Sequence, residues 1–218
     1  MEKYIFLDFN GTVLDDVDLC LNLLNEMLSA KEGKTVNLEE YKNIFDFPIV
    51  KYYERAGFRY ANYTFEELAD YFIIEYSKRN PTQSKIFDDL ESSVNALKEI
   101  GYKVVICSAS MKNLLIEQLK GFNIYQLFDD VIALDNYYAA SKLELAKAYV
   151  SNVDVDLDNS YFIGDTTHDA EVGNACGLKV ILVERGHQSK EVLQKANCTI
   201  LDTLKGASEY IKTSIIDK

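Results

Sequence analysis

The chain has 218 residues, 48% of them hydrophobic, and a formal net charge of -12. A chain of this size can bury roughly 70% of the surface its unfolded form exposes, as one large domain or two small ones. Its acidic balance, with no basic stretch, excludes nucleic acid as a general partner and an anionic membrane as a docking surface, so a small anion would have to meet positive charge concentrated locally.

Met1-Glu2-Lys3 leads directly into the apolar run YIFLDF (4–9), which contains an aspartate and does not read as a signal peptide. No uncharged run is long enough to cross a membrane, so the expectation is a cytoplasmic protein, a monomer or small homo-oligomer. Asp8 closes this first strand within DFNGTVLDD, where Gly11-Thr12 opens a turn and Asn10 stands between. Next comes an amphipathic helix with Val17, Leu21, Leu24 and Leu28 on one face. About seventy residues then pass without a comparable buried strand, and nearly half of the chain's aromatic residues fall between Tyr41 and Tyr76. Pro48 and Gly57 bracket a short helix, VKYYERAG, and RNPTQ (79–83) reads as a return linker.

From there strand and helix signals alternate. Leu90, Val94, Leu97 and Ile100 have helical spacing, with Gly101 as the stop; KVVICS (103–108) follows as a strand. Leu114, Leu115 and Leu119 before Gly121 repeat the helical pattern, DVIAL (130–134) is a strand, and Leu143, Ala146 and Val150 mark a third helix. SYFIGD (160–165) and KVILVE (179–184) are again short, continuously apolar runs of the kind buried on both faces of a parallel sheet. The pattern predicts a doubly wound α/β core, residues 1–15 and 84–218, interrupted by an all-helical insert over 16–83. Cys20, Cys107, Cys176 and Cys198 form no C-x-x-C pair and read as free thiols packed like small apolar side chains.

In an open parallel sheet, chemistry sits beyond the carboxyl ends of the strands. Asp8, Ser108, Gly164-Asp165 and, at a helix start, Lys142 occupy such ends. Each alone has an ordinary explanation as a cap or a solvated charge. Together they offer acidic oxygens from two strand ends, suited to Mg²⁺ with a phosphate, and a hydroxyl and an ammonium for the remaining phosphoryl oxygens. GDTTHD (164–169) adds Asp169, four residues after Asp165.

DFNGTVLDD, Ser108 in ICSAS, Lys142 and GDTTHD resemble the four ordered motifs of the haloacid dehalogenase superfamily, and FDFPIVKYYERAGF is similar to the helical cap of its phosphoglycolate-phosphatase-like members. The resemblance implies a Rossmann-like core with that cap, and a phosphatase acting on a small phosphorylated metabolite. It makes Asp8 the nucleophile that forms an aspartyl-phosphate, Ser108 with Ala109 the phosphoryl contacts, and Lys142 the group steadying nucleophile and transferred charge. Mg²⁺ would be held by Asp8, Asp165, the Asn10 carbonyl and a supporting Asp169. Thr12 would shape the turn beside the substrate. Arg55, with Lys42, Lys51 and Arg59, are the candidate cap contacts.

Asn10 departs from the pattern, which has an aspartate here to protonate the leaving group and activate water. An amide does neither, a loss of typically about 10²- to 10⁴-fold. Three readings stand open. Another group, with His168 as the candidate, takes over the proton. Alternatively, the substrate needs no strong acid, as in phosphonate-cleaving relatives, which require a cap lysine such as Lys42 or Lys51 for a Schiff base. Or the protein is a weakly active, phosphate-binding regulatory relative.

Overall fold

Successive side chains of a strand point to opposite faces of its sheet, and in the first strand here both faces are apolar. The computed structural model describes residues 1–134 and 141–216; residues 135–140 and 217–218, inside the expected 84–218 span, lie outside the described residues. Strand β1 (Lys3–Leu7) sends Ile5 and Leu7 into one buried cluster and Tyr4 and Phe6 into another. After a tight turn come β2 (Leu14–Asp15) and the helices α1 (Val17–Glu32), α2 (Leu38–Ile44), α3 (Ile49–Ala56) and α4 (Phe65–Gln83), then β3 (Lys85–Ile86). Alternation begins there: α5 (Leu90–Glu99), β4 (Tyr102–Met111), α6 (Lys112–Gly121), β5 (Asp130–Leu134), α7 (Lys142–Asn152) and β6 (Tyr161–Gly164). It continues through α8 (Thr167–Ala175), β7 (Lys179–Val183), α9 (Lys190–Leu193), β8 (Thr199–Leu201) and α10 (Leu204–Ile216).

Six strands form one parallel sheet in the order β5-β4-β1-β6-β7-β8. The chain winds outward from β1 through β4 to β5, returns to β6 on the other side of β1, and winds outward again. That reversal opens a crevice at the carboxyl ends of β1 and β6, the place where doubly wound sheets bind ligands. Leu97 of α5 and Ile211 of α10 pack with Ile5 and Leu7 on one face, whereas Ala146 of α7 and Val172 of α8 pack with Phe6, Val105 and Phe162 on the other.

The insert carries its own core: Val17, Leu24 and Leu28 of α1 meet Tyr41, Tyr52, Tyr53 and Leu68, with Leu21 partly buried alongside. Its two ends are tied together, because β2 and β3 pair antiparallel, Leu14 with Ile86 and Asp15 with Lys85. The sequence RNPTQ is not the expected linker: α4 continues through it, with Pro81 inside the last turns. Proline removes one intrahelical donor, but Arg79 pairs with Glu26 at 2.6 Å and Glu75 at 2.9 Å, and buried Asn80 donates to Gln118 at 2.8 Å. Those contacts hold the helix end that proline alone would break. Among the described residues all four cysteines are free, and no helix is long and apolar enough to cross a membrane.

Phe6 is fully buried, its ring 6.4 Å from that of Phe162 and 5.9 Å from that of Tyr149. Phe6→Ala is expected to lower the unfolding free energy in urea by about 3–5 kcal/mol. A loss under about 1 kcal/mol would mean that the α7–α8 face of the sheet closes over the missing ring.

Candidate active site

The central strands deliver the polar side chains. Asp8 follows β1 directly, and its backbone N–H donates to Ile163 O of β6 at 2.9 Å, fixing the strand end beside its neighbour. Gly11 turns the chain with φ of +74°, and a Cβ there would run into the Asp165 carboxylate, so both conformation and space require glycine. Asp165 follows β6. On β4 the pairing with β5 is interrupted between Cys107 and Met111, where the register shifts. Ser108, Ala109 and Ser110 sit in that interruption and line a cavity; the strand itself runs to Met111, beyond the end expected at Ser108.

Lys142 is the first residue of α7, whose cap is Ser141 in a capping box with Glu144. A cation in a helix's first turn opposes the helix dipole. Its neighbours reverse that penalty: the buried ammonium is paired with Asp8 and, at 2.6 Å, with Asp169. Burial works against its charge, but Asp169 and Asp8 outweigh that and hold the ammonium above its usual range.

Carboxylate oxygens of Asp8, Asp165 and Asp169 all lie within 4.8 Å of one another, and all three residues are buried. Burial pushes the Asp8 carboxyl up to about 8 and that of Asp165 up to about 6. Asp169 is the exception: burial would raise it, but Lys142 holds it below the usual carboxylate range. Its Oδ2 accepts from Thr166 Oγ1 at 2.6 Å and Thr166 N at 3.0 Å, which caps α8. One ammonium against three carboxylates leaves negative charge uncompensated, and the donors are all hard oxygens. This donor set fits a divalent cation of the Mg²⁺ class.

Asn10 faces the same cavity but is committed elsewhere. Its Nδ2 donates to Asp16 Oδ2 at 2.7 Å and to the Tyr76 hydroxyl at 2.7 Å. Asp16, fully buried, also accepts from Tyr76 OH at 2.7 Å and Gly11 N at 3.2 Å, and its Oδ1 lies 3.2 Å from His187 Nε2. His187 is buried too, its Nδ1 2.8 Å from the Tyr41 hydroxyl and its backbone N–H on Asp165 Oδ2 at 2.7 Å. Burial disfavours the imidazolium, yet Asp16 more than offsets it and lifts His187 to about 9. Asp16, His187, Tyr41 and Tyr76 were not singled out in the sequence. The strand-end rule that selects Asp8 and Asp165 would also have selected the turn after β7, which carries Gly186-His187.

One cavity of about 410 Å³ is lined by Asp8, Asn10, Ser108, Ala109, Lys142, Asp165 and Asp169. Thr12 lies beneath it, its hydroxyl donating to Asp165 Oδ1 at 3.1 Å. His168 lines the wall with its ring 4.8 Å from that of Phe47 and its Nδ1 3.3 Å from Glu171. The cap cations are not brought to the site. Arg55 pairs with Asp46 at 2.7 Å, Lys51 with Glu54 at 2.9 Å and Arg59 with Glu32 at 3.8 Å; neither they nor Lys42 line the cavity.

A family model described as haloacid dehalogenase-like hydrolase matches residues 4–183. A phosphoglycolate phosphatase from Aquifex aeolicus is 23% identical, over 96% of this chain and 95% of that protein. Another from Caulobacter vibrioides is 25% identical, over 86% of this chain and 81% of its own length. Among solved structures, a haloacid dehalogenase-like protein from Agrobacterium tumefaciens superposes with a TM-score of 0.80 at 15% identity, covering 99% of this chain and 100% of that one. That likeness shows a shared fold.

The Asp16–His187 attraction has a defined pH window. His187 binds its proton more tightly folded, at about 9, than unfolded, so the pair's contribution is complete below about 6.5 and is lost as pH rises through about 9. In chelator-containing buffer, the urea midpoint of the native protein is expected to fall over that interval more steeply than that of Asp16→Asn. Parallel declines in the two proteins would exclude the pair as the source.

Proposed function

The chain belongs to the haloacid dehalogenase-like hydrolases, and from that membership we propose a cytoplasmic, Mg²⁺-dependent phosphatase that hydrolyses a small phosphorylated metabolite through an aspartyl-phosphate on Asp8. The reading rests on one observation above the others: Asp8, Lys142 and Ser108 line one cavity together with the carboxylates of Asp165 and Asp169. The phosphoglycolate phosphatases to which the chain is similar support a small phosphorylated substrate.

In this mechanism an Asp8 oxygen attacks phosphorus as the bond to the leaving oxygen breaks. The Lys142 ammonium orients Asp8 and offsets charge on the transferred oxygens. Ser108 donates its hydroxyl to a phosphoryl oxygen, and the backbone N–H of Ala109 donates to another. Asp8 and Asp165, with the Asn10 carbonyl and Asp169 in support, would hold Mg²⁺, which when bound supplies Lewis-acid neutralisation of phosphoryl charge. Thr12 acts through Asp165, which it hydrogen-bonds. The helical insert, residues 16–83, serves as a cap over a core of 1–15 and 84–218. Ester hydrolysis is favoured over phosphonate cleavage because, among the described residues, neither Lys42 nor Lys51 nor any other cap lysine lines the cavity to form a Schiff base.

Acetyl phosphate, whose carboxylate leaves without protonation, tests the core chemistry. Turnover should require Mg²⁺, vanish with chelator and return on adding the metal back. Asp8→Asn should lower kcat by about 10⁴-fold or more. Binding or a single phosphorylation without turnover would instead support the regulatory reading. His168→Ala, assayed on an alkyl phosphate, decides whether that imidazole supplies the proton: a fall of tenfold or more in kcat assigns it the role, and unchanged turnover removes it.

A further inference from the structure

Building on the phosphatase reading, we propose that the substrate is the phosphate monoester of an uncharged phenol, whose ring packs against the aromatic wall of the cavity and whose oxygen departs as phenoxide without an acid. Two independent features of the site lead there.

The first concerns the proton. Asn10 occupies the position beside the nucleophile and has its amide fixed by Asp16 and Tyr76. A phenol has a pKa of about 10, against about 16 for water, which an alkyl alcohol approximates. An aryl ester therefore loses far less than an alkyl ester when protonation is withheld. The Asp8 oxygen bonds to phosphorus, the P–O(aryl) bond breaks, and its electron pair leaves on the phenoxide, which takes a proton from bulk water. A water molecule then attacks the phosphorus of the aspartyl-phosphate, Asp8 is regenerated, and both protons of that water depart on inorganic phosphate.

The second concerns charge. Among the described residues, Lys142 is the only lysine or arginine lining the cavity, and Asp8 and Asp169 already hold it. His187 has both ring nitrogens engaged, by Tyr41 and Asp16. Among the described residues, a carboxylate on the organic part of the substrate, such as that of phosphoglycolate, would meet no lysine or arginine beyond Lys142 to offset its charge. Instead, the wall beyond the phosphate site presents Phe45, Phe47, Phe65, Phe72, Tyr76 and Ile73. At about 410 Å³ the cavity is of the size that encloses a small organic ligand.

The experiment compares kcat/KM of the full chain with Mg²⁺ for 4-methylphenyl phosphate, 4-carboxyphenyl phosphate, propyl phosphate and phosphoglycolate, with acetyl phosphate as the measure of basal phosphatase chemistry. The methylphenyl ester is expected to exceed propyl phosphate and phosphoglycolate by about 100-fold or more. It should also exceed the carboxyphenyl ester by about tenfold, even though the latter has the better leaving group. Equal or greater turnover of phosphoglycolate or propyl phosphate overturns the inference, as does a preference for the carboxyphenyl ester; in either case acetyl phosphate turnover leaves the phosphatase reading standing. Failure to turn over acetyl phosphate would overturn that reading and this inference together.

Discussion

Three carboxylates buried around one ammonium set the terms for everything at this end of the sheet. Asp8, Asp165 and Asp169 come from the ends of β1 and β6 and the first turn of α8, and Lys142 comes from the first turn of α7. Uncompensated negative charge in a buried site is costly, and here it persists because each member is held from behind. Thr12 and the His187 backbone hold Asp165; Thr166 holds Asp169; Ile163 fixes the backbone of Asp8. The oxygen donors so held suit a divalent cation, whose charge would offset the excess.

Against that background the asparagine at position 10 has a physical reason. Asp16 is a fourth buried carboxylate, and its oxygens are met by donors: the Asn10 amide, the Tyr76 hydroxyl, the Gly11 N–H and the His187 ring. An aspartate at position 10 would set two carboxylates within hydrogen-bonding distance, and they could coexist only by sharing a proton. Asparagine supplies the N–H that Asp16 needs. The Asn10 amide is thus a structural donor that ties the loop after β1 to Asp16 and, through Tyr76, to α4.

Much of this was legible in the chain. Continuous apolar runs with β-branched residues marked the buried strands, helical spacing marked the layers between them, and the rule of strand carboxyl ends led to Asp8, Ser108, Lys142 and Asp165. What escaped depends on contacts between distant residues. Asp16 is bound by Tyr76 and His187, far away in the chain, and no local period reports such a partnership. Pro81 carries a strong local signal for a break, and it was overruled by ion pairs and an amide contact to Glu26, Glu75 and Gln118. That the candidate cap cations do not line the cavity has a related reason. A basic residue on a short helix is as well placed to meet an acidic neighbour on the surface as an anion inside, and Arg55, Lys51 and Arg59 each have such a neighbour.

The pairing of β2 with β3 bears on how such a chain folds at all. Sheet neighbours lie only about 4.8 Å apart, so the points where the chain leaves and rejoins the α/β core are adjacent. To the core, the whole helical insert is equivalent to a hairpin loop. Closing a loop becomes only slowly harder with length, by about 0.6 kcal/mol per doubling. The entropy of holding the insert's ends together is therefore nearly independent of how much chain lies between them. That leaves the insert free to diverge in length and lining while β1 keeps its register with β4 and β6.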